Sequence, residues 1–109
     1  MESNHTIDDK LRTFLLSVDD QIIAKAIITF MQRDLKKEKH PQGYKGLKYK
    51  IIINTIKNKF DSSNTAYSTE EIEEVFGVLY NNNVYHTTDP EKTLHNQHYS
   101  LNKSYRDLK

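Results

Sequence analysis

The sequence predicts an α+β domain with winged-helix architecture, in which three to four helices precede a C-terminal β-hairpin wing. Apolar residues recur at helical spacing in four successive segments, and the last of these segments ends at three consecutive asparagines. Two short segments of strand character follow, separated by a turn with proline at its second position. Because the asparagine hinge leads directly into the hairpin, the wing is expected to pack against the fourth helix. The alternative is a general α+β domain with a terminal hairpin.

The first two helices are predicted from two apolar stripes. The first stripe is Ile7, Leu11, Phe14, Leu15 and Val18, with Thr6 as its expected N-cap. The second stripe is Ile23, Ala26, Ile27, Phe30 and Met31, with Asp19-Asp20 expected to cap its helix. A break is predicted at His40-Pro41-Gln42-Gly43. Residues 1–18 are therefore predicted to form an N-terminal helical extension.

The third helix is predicted from about Gly46 to Phe60. Its apolar face contains Tyr49, Ile53, Ile56 and Phe60. The triplet Ile51-Ile52-Ile53 also fits a short strand, since β-branched residues favour strands. The length of the periodic segment favours a helix.

The fourth helix carries the clearest local signal. Ser68 followed by Glu71 is a capping box, and the apolar stripe after it is Ile72, Val75, Phe76, Leu79 and Tyr80. Residues 84–88 and 94–101 are predicted strands around a turn at 89–92. We therefore predict a winged-helix domain over residues 19–102 and a flexible tail over residues 103–109.

Charge is strongly segregated along the chain, although the net charge is only +1. Residues 1–32 carry a net −2 and residues 33–60 a net +7. Residues 61–91 carry seven acids and no Lys or Arg, and residues 92–109 carry a net +3. Such blocks predict two surfaces of opposite sign.

Several function classes are disfavoured by what the sequence lacks. There is no cysteine, which suggests an intracellular protein, nuclear if the source is eukaryotic, and there is no apolar run long enough to span a membrane. The glycines are scattered and form no phosphate-binding loop. His95 and His98 have ligand-like spacing only on a helix, whereas they fall in a predicted strand. We expect no enzyme activity, no cofactor and no metal site.

The acidic fourth helix is unsuited to ordinary reading of the DNA major groove. Its first two turns carry Glu70, Glu71, Glu73 and Glu74 and no lysine or arginine. Carboxylates near phosphates oppose the electrostatic attraction that supplies most non-specific affinity for DNA. These glutamates either complement the helix dipole on a solvated face or form an acidic docking surface.

The basic block is the candidate nucleic-acid surface. Lysines interleaved with aromatic residues suit contact with the phosphate backbone and with stacked bases. The predicted nucleic-acid-binding residues are Lys45, Lys48, Lys50, Lys57, Lys59, Tyr44 and Tyr49. Because the charge is almost all lysine, any binding should be sequence-tolerant and salt-sensitive. The alternative is a solvated helix face beside a basic loop.

The segment from Ser68 to Asp89 resembles the C-terminal winged-helix domain of the middle subunit of replication protein A, and of the Stn subunit of the telomeric CST complex. The features shared are an opening Ser, an Ile in the first turns, a Leu before a polar three-residue hinge, hydrophobic-Tyr-x-Thr, and an acidic turn. Those domains mainly bind other replication, repair or telomere proteins through the last helix and the wing. The resemblance implies a docking surface formed by Glu70, Glu71, Glu74, Tyr85, His86 and Thr87.

The sequence therefore leads to a principal hypothesis and two rivals. The principal hypothesis is a protein-interaction module in a DNA-maintenance assembly, whose partner carries a basic or amphipathic segment, with weak nucleic-acid contact through the lysines. The first rival is a small double-strand DNA-binding regulator of phage or plasmid type that dimerises through its N-terminal helices. The second is an inhibitor that mimics DNA with its acids, which the net charge disfavours.

Overall fold

The computed structural model describes residues 6–37, 46–93 and 96–109. Within these ranges the chain forms five helices and three short strands. The helices are α1 (Ile7–Arg12), α2 (Val18–Leu35), α3 (Tyr49–Ser62), α4 (Thr69–Asn81) and α5 (Lys103–Arg106). The strands are β1 (Leu47–Lys48), β2 (Tyr85–Thr87) and β3 (His98–Leu101). The predicted α+β class is confirmed.

The three strands form one antiparallel sheet in the order β1-β3-β2. The hairpin pairs Tyr85 with Leu101, and the outer strand pairs Leu47 with Tyr99. Strand β1 occupies residues that the sequence assigned to the beginning of the third helix. That helix begins at Tyr49, and the Ile51–Ile53 triplet is helical, as predicted.

The N-terminal helix is shorter than predicted. Helix α1 ends at Arg12, and Leu15 takes a left-handed backbone conformation with φ of 59° and 93% of its surface exposed. Thr6 caps α1 as predicted, accepting a hydrogen bond from the Asp9 amide at 3.0 Å. The N-cap of α2 is Ser17, whose hydroxyl accepts from the amide of Asp20 at 3.1 Å. The prediction of one stripe through Val18, with an Asp19-Asp20 cap, was therefore wrong.

Helix α4 begins and ends as predicted. The capping box forms in both directions: the Glu71 amide donates to the Ser68 hydroxyl at 3.1 Å, and the Ser68 amide donates to the Glu71 carboxylate at 2.9 Å. After the helix, Asn83 adopts φ of 61°, a left-handed turn that asparagine tolerates. This turn leads the chain directly into β2.

An aromatic cluster joins α4 to the sheet. Phe76 stacks on Tyr85 with ring centroids 4.5 Å apart and meets Tyr99 edge-on at 4.9 Å. Tyr49 contacts Phe76 edge-on at 5.0 Å. Because these rings come from α3, α4 and both hairpin strands, they fix the hairpin against the helices.

The C-terminal residues are more ordered than the sequence suggested. Residues 103–106 form α5, and Tyr105 is buried against the core. The side-chain amide of Gln32 donates to the carbonyl oxygens of Tyr105 and Leu108, both at 2.9 Å. The segment predicted as a flexible tail is therefore held by α2.

Candidate functional site

The exposed face of α4 begins with a group of carboxylates. Glu70, Glu71 and Glu74 are exposed in the first two turns, and none of them forms an ion pair within the part of the chain that the structure describes. Glu71 is occupied by the capping box, whereas Glu70 and Glu74 have no such role. Glu73 is half-buried and accepts a hydrogen bond from the Tyr49 hydroxyl at 3.0 Å. Two free carboxylates thus remain available on this face.

Gly77 leaves a gap in the row of side chains along the exposed face of α4. Gly77 follows Glu70 and Glu74 at helical spacing and precedes Asn81. A Cβ atom at Gly77 would meet no neighbouring element within 4 Å, so packing inside this molecule does not require glycine. Glycine within a helix costs about 0.5–1 kcal/mol relative to alanine. The outer face of α4 therefore has a flat centre at which another chain's backbone can approach closely.

A polar cleft lies where α4 ends and the hairpin begins. It has a volume of about 280 Å³ and is lined by Tyr80, Asn81, Asn83, Tyr85, His86 and Asn102. The amide of Asn102 donates to the Asn83 carbonyl at 2.6 Å, and its oxygen lies 2.6 Å from the Nδ1 atom of His86. Asn102 thus ties the strand end to the hinge and orients the imidazole at the edge of the cleft.

The glutamates and the cleft lie at opposite ends of one helix. Asn81 lies eleven positions after Glu70, which corresponds to about 16 Å along the helix axis. The acidic end can attract a cation, and the cleft offers the side-chain amides of Asn81 and Asn83 and the imidazole of His86, which can pair with a peptide backbone. The arrangement suits an extended segment laid along α4.

No protein-family model, no curated protein and no solved structure matches this chain. Among the residues described, none of the helices combines the length and apolar character needed to cross a membrane.

The predicted docking residues do not all reach the surface. Tyr85 is buried, and its hydroxyl donates to the Phe76 carbonyl at 2.7 Å. Burial also raises the pKa of this phenol well above its ordinary value. Thr87 is half-buried beside Asp89, while His86 is exposed. Tyr85 therefore supports the surface from below and does not offer its ring to a partner.

Sequence reasoning missed the cleft residues Tyr80, Asn83 and Asn102. The asparagine run was interpreted as the end of a helix and a hinge to the hairpin, and Tyr80 as part of the apolar stripe, so none of these residues was predicted to line a site. Tyr80 is 40% exposed because it closes the stripe at the last turn of α4, where less of the core remains to cover it. Asn102 is brought to the hinge by hairpin pairing, which no local pattern reveals.

The predicted nucleic-acid residues do not form one patch within the described ranges. Tyr44 and Lys45 lie outside those ranges. Tyr49 is buried and its hydroxyl bonds Glu73, so its ring is not available to stack on a base. Burial, together with this hydrogen bond, raises the pKa of Tyr49 above its ordinary value. The prediction of Tyr49 as a stacking residue is therefore corrected.

The remaining lysines do not all share one face: Lys50 and Lys57, seven residues apart, lie on one face of α3, whereas Lys59 lies on another. Lys48 and Lys50 are exposed at the start of α3. Lys57 pairs with Asp61 at 2.6 Å, and Lys59 lies at the far end of α3 beside α2. Lysines separated in this way give a weak, diffuse attraction for phosphates.

Proposed function

We propose that this chain is a winged-helix domain that acts as a non-enzymatic protein-interaction module. Support for the winged helix comes from strand β1, which lies between α2 and α3 and pairs with the second hairpin strand. Further support comes from α4, which leads through a short hinge into the hairpin. The proposed setting, a DNA replication, repair or telomere-maintenance assembly, rests on the resemblance carried by residues 68–89.

The proposed docking mode rests mainly on two carboxylates of α4 that have no ion-pair partner among the described residues. Glu70 and Glu74 are exposed and form no ion pair among the described residues. The flat centre at Gly77 and the polar cleft continue the same surface. A partner segment with Lys or Arg near the glutamates and an accessible backbone near Asn83 and His86 would match all three features. Complementary charge of this kind favours rapid association and the choice of partner more than raw affinity.

Direct nucleic-acid binding is the weaker of the two candidate functions. A duplex-binding regulator would need a surface on which several basic side chains are clustered on one face. Tyr49 is buried and Lys59 faces another flank, so only Lys50 and Lys57 share a face of α3, where Asp61 pairs with Lys57. Lys48 and Lys50 would add only a weak, salt-sensitive contact to a protein-mediated complex.

The test compares two variants with the same change in charge. Glu74→Lys places a lysine on the docking surface, and Asp107→Lys makes the same substitution at an exposed position near the C-terminus. The full chain and both variants are used as baits in extracts of the source cells, and retained proteins are quantified by mass spectrometry. We expect Glu74→Lys to lose specific partners that Asp107→Lys retains. If both variants retain the same proteins as the wild type, α4 is not the docking surface.

A parallel gel-shift measurement decides between protein and nucleic acid. The wild-type chain is titrated into duplex and single-stranded DNA at low and at physiological salt. We expect any shift at low salt to disappear at physiological salt. A micromolar or tighter duplex complex that survives physiological salt would instead favour the regulator.

A further inference from the structure

A second surface lies between α2 and α3, in a groove to which no described residue of α4 contributes. Its volume is about 470 Å³, and its floor is formed by Ile22, Ala26, Phe30, Ile56 and Phe60. Ile22 is 46% exposed, although withdrawing an isoleucine side chain from water is energetically favourable. The groove is therefore an apolar surface that the described part of the molecule does not cover.

The apolar surface continues beyond the groove along α2. Val18, Ile22, Ala26 and Phe30 succeed one another at intervals of four residues, so they lie along one stripe of the helix. Val18 is 75% exposed, and Leu15 immediately before α2 is 93% exposed. The stripe from Val18 to Phe30 is about 18 Å long, which is more than three helical turns. This length suits an elongated occupant such as a helix.

The rim of the groove is positively charged. Lys25, Arg33 and Lys59 line it, and no acidic residue is among the described lining residues. Lys25 forms an exposed ion pair with Asp8 at 3.1 Å. Arg33 and Lys59 have no acidic partner in the described ranges. An occupant with carboxylates beside its apolar face would pair with these cations.

A second copy of this chain is a poorer occupant of the groove than a separate acidic helix. Two copies that met groove to groove would bring only cations from the described rims, namely Lys25, Arg33 and Lys59 of each. A head-to-tail contact could offer the acidic face of α4, but Glu70, Glu74, Gly77 and Asn81 at the centre of that face carry no apolar side chain that could fill the groove.

We propose that the groove between α2 and α3 binds an acidic amphipathic helix of a partner protein. Apolar side chains of that helix would occupy the space over Ile22 and Phe30, and its carboxylates would meet Arg33 and Lys59. This mode of recognition lays the apolar face of a helix into a hydrophobic groove. The groove is independent of the docking surface on α4, so the domain would connect two partners of opposite charge.

The test uses two labelled peptides that differ only in charge. Each is a helix of about 16 residues, long enough to cover the stripe, with leucines at i, i+3, i+4 and i+7. One carries glutamates on both flanks and the other carries lysines. Binding to the full chain is measured by fluorescence anisotropy, and the contact is mapped by amide chemical shifts. We expect the acidic peptide to bind the groove about fivefold more tightly than the basic one, as two exposed ion pairs would provide.

Three variants locate the contact. Ile22→Glu should weaken the acidic peptide about tenfold, because it places a charge on the apolar floor. Arg33→Glu with Lys59→Glu should reverse the preference between the peptides. Glu74→Lys should leave the affinity for the acidic peptide unchanged, which separates this proposal from the docking surface on α4. Circular dichroism confirms that each variant is folded before its affinity is compared.

The proposal is overturned by any of three results. The first is equal affinity of the two peptides for the groove, measured from the shifts of the α2 and α3 amides, or no binding of either peptide there. The second is a set of amides outside α2 and α3 that the acidic peptide shifts. The third is a wild-type dimer in light scattering that Ile22→Glu converts to a monomer, because the occupant would then be a second copy of the chain.

Discussion

Asp89 is buried at the base of the hairpin, where its carboxylate accepts the backbone N–H of His98 at 2.7 Å. Its other oxygen lies 2.9 Å from the Nδ1 atom of the His98 ring and 3.6 Å from the Lys92 ammonium. The hydrogen bond from the His98 amide, more than the nearby charges, holds the pKa of Asp89 well below its ordinary value. One carboxylate thus joins the turn to the first residue of β3.

Replacing Asp89 by Asn should destabilise the fold at neutral pH, with an effect that depends on pH. A carboxyl group whose pKa is lowered by folding stabilises the native state above its unfolded pKa of about 3.9. That contribution is lost as the pH falls below this value towards the folded pKa. We expect the difference in unfolding free energy between wild type and Asp89→Asn to be largest near pH 7 and to narrow below about pH 4.

The measurement is urea unfolding of both proteins between about pH 7 and pH 2. Asp107→Asn is the matched control, because Asp107 is exposed and has no described ion pair. It should behave as the wild type throughout. A difference for Asp89→Asn that stays constant with pH would show that the charge of Asp89 contributes nothing.

Gly46 should be far less tolerant of alanine than Gly77. Gly46 has φ of 107°, and a Cβ atom there would lie 2.3 Å from the Tyr99 carbonyl oxygen. Gly46→Ala must therefore move strand β1 or strain the backbone, at a cost of about 1–3 kcal/mol. Gly77→Ala meets no neighbour within 4 Å and should stabilise α4 by about 0.5–1 kcal/mol. Thermal unfolding of the two variants should thus shift in opposite directions, and equal shifts would contradict the role of Gly46.

The elements that could be predicted from the sequence are those with local signals. The four main helices and the hairpin follow from local periodicity, caps and turn residues, and Ser68 with Glu71 marks one helix start without any tertiary information. Strand β1 could not be predicted, because Leu47 and Lys48 become a strand only by pairing with Tyr99 and His98, fifty or more residues later. Long-range pairing of this kind leaves no local pattern.

The difference between local and long-range signals also explains which of the predicted site residues are exposed. Glu70 and Glu74 are exposed because the apolar stripe of their own helix already determines which face is buried. Tyr85 and Tyr49 are buried because rings from other elements surround them. Tyr85 was predicted as a contact residue from the resemblance, and Tyr49 from its place among the lysines, and neither signal reports tertiary packing.

Ser68→Ala should lower stability by about 1 kcal/mol, because the Glu71 amide loses the hydroxyl that caps it. The Glu71 side chain can still accept from the backbone amide at position 68, so half of the capping box remains. Ser63→Ala, at the end of α3, is the control for removing an exposed hydroxyl that bonds a helix-end carbonyl. Chemical unfolding should show the larger loss for Ser68→Ala. Equal losses would mean that the cap does not determine where α4 begins.

Tyr105→Ala should show that the C-terminal segment belongs to the folded domain. Tyr105 is only 6% exposed, and its removal takes a large side chain from the core and loosens the carbonyls that satisfy Gln32. Gln32 is itself 8% exposed, so its amide would lose partners away from water. We expect a loss of about 3 kcal/mol, or a fall in Tm of at least about 10 °C. Ser104→Ala, at an exposed position of the same helix, should change the Tm by less than about 3 °C. If Tyr105→Ala unfolds at the wild-type temperature, residues 103–109 are a dispensable tail, as their sequence suggested.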